Sequence, residues 1–337
     1  MNHLFHATPL KRTAAKGGQM PTLARHRFTP PHAGSTFNKG VLRRWSSPET
    51  MLVVTDLMDE ESIQFHAIQQ ARRNGAKVLL VQVDRRDSTA IPRTHHLYRA
   101  LSSTRSIYAA GDPAERMARY LRWSGVACEP IVVRSVQAKQ IPSIVSSSCA
   151  HRVLVSAPVD QSDTLVQELI DRVEIPVCVV PRTLSLASRY QRPARRITLV
   201  LSLHAKNEIP IGFASRFANE NHAQLTIMHV FPTAARNGLK NEHLVSSFVS
   251  KLPSTVLREA ELICPVEILI REGDPGNEVL KYDSRCNQDF VILAPPRNAG
   301  PFDFGIDAVG MVIQQAQCPV LVLTDPSSVR DQPRAKS

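Results

Sequence analysis

Few residues in this chain are placed for chemistry. Three consecutive carboxylates, Asp59, Glu60 and Glu61, open an amphipathic segment, where negative charge near the first turn stabilises a helix dipole. His95 and His96 are adjacent in an irregular basic stretch, with no third ligand at a spacing that would hold a metal. The six cysteines (Cys128, Cys149, Cys178, Cys264, Cys286 and Cys318) are scattered, and none forms a CxxC pair. Several sit in or beside apolar runs, so they read as small hydrophobes in a reducing cytoplasm rather than a disulfide framework or a zinc site. No GxSxG elbow, HExxH or P-loop occurs, and no histidine stands beside a recognisable nucleophile. What remains is Asp56, directly after the apolar run Met51–Thr55, and two glycine-bearing loops. One is GDPGNE, Gly273 to Glu278; the other follows Ala294 and contains Gly300 and Gly305. None of these can be assigned a reaction.

Composition sets the frame around them. The 337 residues are 43% apolar, enough for two or three packed domains, and only 5% aromatic. No run approaches the ~18 apolar residues that a membrane crossing needs, and the first residues lack a secretory h-region. The net charge of +11 is uneven: residues 1–49 hold eight lysines and arginines against Glu49 alone. That stretch is rich in Pro, Gly, Ser and Thr, so residues 1–49 are expected to be a disordered basic arm. Nucleic-acid binding is not expected beyond this arm, because a footprint should cluster on a folded face and bring aromatics for stacking.

The elements that must position the candidates come in a repeated order. Met51–Thr55, Lys77–Val83, Ile131–Val133, Arg152–Ser156 and Pro176–Val180 are short apolar runs, with helical segments Glu60–Asn74, Asp112–Ser124, Ile141–Cys149 and Asp163–Val173 between them. Runs without polar alternation are strands covered on both faces. After a linker the pattern restarts as Arg196–Leu201, Gln224–Val230, Val266–Ile270, Phe290–Ala294 and Pro319–Leu323. Helical segments are read at Asn207–Asn219, Leu239–Glu261 and Asp307–Gln317, with Gly276 and Asn277 opening another. Five strands in the same order, with proline leading the last of each set, make a tandem duplication of α/β units with right-handed crossovers. The expected organisation is a domain over 50–182, a linker over 183–195, a second domain over 196–325 and a disordered tail over 326–337.

These residues resemble a family. A first strand ending in Asp, a second strand like TIMHV, the segment REGDPGNEVL (Arg271 to Leu280), the strand DFVILA and the closing CPVLVL look like a universal stress protein domain. The likeness occurs twice and is clearer in the second copy. It implies two Rossmann-like (HUP-type) domains, each a five-stranded parallel doubly wound sheet, paired through their final strands, Val177–Val180 and Val320–Leu323. It also implies a stress-response binding or regulatory protein, not an enzyme, with an unidentified protein partner and possible association of two chains. Family members that bind ATP carry an acid after the first strand and a G-x2-G-x9-G-[ST] loop after the fourth, whose glycines let backbone N–H groups reach the phosphates.

Residue by residue, this pattern is degenerate here. In the second copy the first two glycine positions fall on Ala294 and Arg297, the third on Ile306 or Asp307, and Ser202 stands where the acid would be. Gly300 and Gly305 lie in the loop at other spacings. In the first copy Asp56 matches the acid and Val83 the end of the second strand, but the phosphate positions fall on Ser156 and Val159 and no glycine occurs between Gly125 and Pro181. ATP is therefore not expected to bind through a glycine-rich loop. The alternative is an ATP- or adenine-nucleotide-binding sensor that uses domain 1 through Asp56; the candidate nucleotide-binding residues along the chain are Asp56, Val83, Gly273, Gly300 and Gly305. A further alternative is an α/β nucleotide-using enzyme, against which the missing phosphate signature counts.

Overall fold

The structure, a computed structural model of the chain, describes residues 22–28, 50–55, 60–84, 113–134, 140–158, 164–182, 194–202, 207–231, 246, 248–250, 252–295 and 306–323. Asp56, Asp59, His95, His96, Gly300 and Gly305 lie outside these residues.

Domain 1 runs β2 (Thr50–Thr55), α1 (Glu60–Asn74), β3 (Lys77–Asp84), α2 (Pro113–Trp123), β4 (Cys128–Arg134), α3 (Ile141–Ser147), β5 (Ala150–Ser156), α4 (Leu165–Arg172) and β6 (Val177–Val180). Domain 2 repeats the order with β7 (Arg196–Leu201), α5 (Glu208–Glu220), β8 (Gln224–Phe231), α6 (Ser254–Ile263), β9 (Val266–Glu272), α7 (Pro275–Cys286), β10 (Phe290–Ala294), α8 (Ile306–Gln315) and β11 (Val320–Val322). A further strand, β1 (Thr22–Phe28), precedes both. Within each domain the five strands are parallel. Their Val, Ile and Leu runs are buried on both sides, as the missing alternation requires.

The duplication reaches individual hydrogen bonds. Helix α1 ends when Gly75 adopts φ +61° and Ala76 N–H donates to Ala71 O at 2.8 Å. The matching helix α5 ends with His222 at φ +51° and Ala223 N–H donating to Ala218 O at 2.8 Å. This is the same left-handed C-terminal closure, built once with glycine and once without it. The prolines before the two final strands also act alike. Val153 N–H donates to Pro176 O at 2.9 Å, and Val291 N–H donates to Pro319 O at 3.0 Å.

The two domains make one sheet of eleven strands in the order β1-β9-β8-β7-β10-β11-β6-β5-β2-β3-β4. The join is the antiparallel pair of final strands, with Val320 opposite Val179, Leu321 opposite Cys178 and Val322 opposite Val177. Each strand gives the other the backbone partners that an open edge would lack. Both hydrophobic cores cross this seam. One contains α1, α2, α5 and α6 residues such as Ile63, Leu121, Phe217 and Ala260; the other contains Val145, Leu169, Tyr282 and Val312 from α3, α4, α7 and α8. Polar contacts reinforce the first. Arg152 Nη1 donates to Gln70 Oε1 at 2.8 Å, and its guanidinium lies 5.9 Å from the Phe217 ring centroid in the other domain. Arg73 Nη1 also donates across the seam, to Asn221 Oδ1.

Two expectations are corrected. Within the arm, which sequence composition marks as disordered, Thr22–Phe28 forms β1 and pairs antiparallel with β9, Phe28 in register with Val266 and Arg25 with Leu269. Alternation of Ala24, His26 and Phe28 with arginines is enough to complete a strand when an apolar sheet edge offers backbone partners. The long helix read over Leu239–Glu261 is interrupted: Ser246 and 248–250 are helical, the backbone leaves the helix at Leu252–Pro253, and α6 starts at Ser254. Proline disfavours helical backbone at the preceding residue and lacks the N–H a continuing helix would use.

Candidate functional site

Ligands of doubly wound folds sit beyond the carboxyl ends of the strands. Because β6 and β11 are antiparallel, the two domains point these ends in opposite directions along the sheet. Val83, near the end of β3, and Gly273, just after β9, have seven strands between them. At ~4.8 Å per strand that is roughly 40 Å, so they cannot serve one ligand. Each domain has to be judged alone.

In domain 2 the end of β7 is Leu201 and Ser202, both about 1% exposed. Asn207, which begins α5, turns its side chain back so that Nδ2 donates to Ser202 O at 3.2 Å. His229 on the adjacent β8 lies 2.8 Å by Nδ1 from Leu201 O. A carbonyl oxygen only accepts, so Nδ1 carries the proton. The imidazole stacks on Phe248, 4.7 Å between centroids and 10° between planes, and meets Phe231 edge-on at 4.5 Å and 89°. Phe248 is fully buried and Phe231 nearly so. Three protein rings thus pack together beside the first two strand ends, and the position that would need a carboxylate is a buried serine. His229 and Phe231 share a strand face by their two-residue spacing. That spacing was the available sequence signal for the cluster, but Phe248 comes from a distant helical segment that no spacing rule connects to it.

Gly273 serves the backbone. At φ +148° it turns the chain out of β9, its N–H donates to Phe231 O at 3.0 Å, and a Cβ here would meet Glu278 Cγ at 2.9 Å. Asp274 then caps α7, accepting from Asn277 N–H at 2.9 Å. Gly276 lets α7 approach α8, since a Cβ would meet Met311 Sδ at 2.9 Å. Glu278 is buried and pairs with Lys281 at 2.7 Å, three residues further along the helix.

In domain 1 the strand ends present Thr55, Val83 and Ser156, all buried. Ser62 Oγ donates to Pro181 O at 3.1 Å and Arg182 Nε to Ala157 O at 2.5 Å, which ties the end of β6 to α1 and β5. Val83 packs with Val54, Val81 and Val133 in the second core. Its side chain is therefore structural, whatever its backbone contacts.

Three of the thiols are held protonated by burial. Burial pushes Cys178 and Cys264 up to about 12 and Cys128 up to about 11. All six cysteines are free. Among the described residues no group of three or more His, Cys, Asp or Glu side chains is arranged to hold a metal ion. No helix among them is long and apolar enough to cross a membrane.

This geometry, two parallel five-stranded α/β domains joined edge to edge through their last strands, defines a tandem doubly wound α/β fold. Solved structures place it more narrowly. A universal stress protein from Archaeoglobus fulgidus DSM 4304 matches over 83% of this chain and 98% of its own, with a TM-score of 0.55 and 16% identity. A protein of unknown function from Pseudomonas aeruginosa PAO1 matches over 85% and 96%, with a TM-score of 0.54 and 13% identity. A universal stress protein from Archaeoglobus fulgidus in complex with dAMP matches 40% of this chain and 99% of its own, at a TM-score of 0.27 and 14% identity. No protein-family model matches the sequence, and neither does any curated protein. The chain has the universal stress protein fold in two tandem copies.

Proposed function

We propose that this chain is a stress-response binding or regulatory protein of the universal stress type that works by presenting its surface to a partner, not by catalysis, and that does not take ATP through a glycine-rich loop. The observation that carries the reading is the His229–Phe231–Phe248 cluster beside buried Ser202. A strand end flanked by packed rings, with no carboxylate, is poorly suited to an adenosine. Ala294 and Arg297 at the glycine positions of the following loop agree with it, because a side chain there holds phosphate away from backbone N–H groups. Six free thiols suit the reducing cytoplasm in which we place the protein.

Thermal unfolding of the full chain with and without ATP·Mg at about 1 mM tests the proposal. A ligand bound only by the native state at a Kd near 10 μM would add about 2.7 kcal/mol at that concentration. No shift is expected. A shift that Asp56→Ala abolishes would move the protein to the rival reading, a nucleotide sensor working through domain 1.

A further inference from the structure

Helix α2 carries a surface that packing does not explain. Its buried face is Ala114, Met117, Ala118 and Leu121, all at 1% exposure or less. The opposite ridge, at helical spacing, is Arg116, Arg119, Tyr120 and Trp123. Trp123 is 84% exposed and Tyr120 46%, the two largest exposures among the big hydrophobic side chains described. Their rings lie 6.2 Å apart with 38° between planes, leaving a ring face open to solvent. Arg116 and Arg119 are exposed, and neither pairs with a carboxylate among the described residues. Arg122 on the flank is different: it is neutralised by Glu115 at 2.9 Å and bonded to Cys128 O. Arg72 of α1 adds a further cation at the end of the ridge, where Nε donates to Ser124 O at 2.7 Å.

The duplicate domain supplies an internal control. Helix α6 occupies the same place in domain 2, contains no aromatic residue, and carries Arg258 among Glu259 and Glu261. The fold therefore does not require rings or uncompensated arginines at this position.

We infer that the outer ridge of α2 binds single-stranded nucleic acid, with Trp123 and Tyr120 as stacking platforms and Arg116 and Arg119 on the phosphates. This goes beyond the proposed function and reverses the sequence-based expectation that only the arm would contact nucleic acid. Charge complementarity selects the occupant. Exposed rings flanked by cations fit a chain that alternates π faces with phosphates. A duplex keeps its bases stacked on each other and would use the arginines alone.

The test is fluorescence anisotropy of the full chain with a labelled oligoadenylate of about 15 nucleotides, at about 50 mM salt. Wild type should bind saturably. Trp123→Ala should weaken binding by about tenfold, within the range of one lost base–aromatic stack. The double variant Arg116→Gln, Arg119→Gln should weaken it and flatten the log–log salt dependence by about 1 to 1.5, as for two lost single-strand phosphate contacts. Circular dichroism confirms folding, which these exposed positions should leave intact. Binding untouched by these variants but lost on replacing Lys11, Arg12 and Lys16 with Ala would overturn the inference and assign nucleic acid to the arm. Absence of saturable binding would overturn it as well. So would a concentration-dependent dimer that Trp123→Ala dissociates while RNA never binds, which would make the ridge a contact between two copies.

Discussion

The seam between the domains makes a quantitative prediction. Leu321 is fully buried on β11, opposite Cys178 of β6 and beside Ile292 of β10, in the core that spans both domains. Leu321→Ala removes three carbons from a site walled by two strands, so its surroundings can collapse only in part. Such changes cost about 2–5 kcal/mol, and we take ~3. If β6 and β11 couple the domains into one cooperative unit, the cost is shared by residues far from the substitution. Native-state hydrogen exchange reads this directly. At ~1.4 kcal/mol per factor of ten, amides of β7 (196–201) and of β2 (50–55) should both exchange roughly 100-fold faster. The β2 amides are the informative ones, since β2 is in the other domain, three strands from β11. Faster exchange in β7 with β2 unchanged would refute the coupling and make the seam a contact between independent units.

Other parts of the structure respond to simpler perturbations. His66 is buried on α1, and desolvation lowers its pKa from 6.5 to about 4. The folded state holds it neutral while the unfolded chain protonates below 6.5, so its contribution is complete above pH 6.5 and is lost as pH falls towards 4. Urea unfolding should show roughly 3 kcal/mol of stability disappearing across that window, and His66→Leu should flatten the curve. Gly273→Ala combines φ +148° with a 2.9 Å approach to Glu278 Cγ, and thermal denaturation should show a loss of about 1–3 kcal/mol. Native-state alkylation followed by peptide mapping should label exposed Cys149 and leave Cys178 and Cys264 unmodified until the chain unfolds.

The fold is legible in the sequence because the information is local and repeated. Glu60–Asn74, Arg196–Leu201 and Phe290–Ala294 have the same boundaries in sequence and structure, since apolar periodicity and a closing Gly75 or Pro295 mark them without reference to the rest of the chain. The pairing of Val177–Val180 with Val320–Val322 is legible through family resemblance: two short apolar strands at the ends of duplicate units need partners. Strand β1 is not, because TLARHRF is unremarkable by composition and gains its partner only from the β9 edge, far along the chain in the second domain. The site is less readable than the fold. His229, Phe231 and Phe248 meet only after β8 and a distant helical segment pack together, and nothing in its local sequence marks Trp123 as an exposed ring.

Whether this universal-stress-type fold binds ATP without a glycine-rich loop is measured most directly by isothermal titration of the full chain with ATP·Mg. No saturable heat is predicted up to about 1 mM nucleotide, for wild type and Asp56→Ala alike. One-to-one binding in the micromolar range, lost in Asp56→Ala, would contradict the proposed function and make domain 1 a nucleotide site.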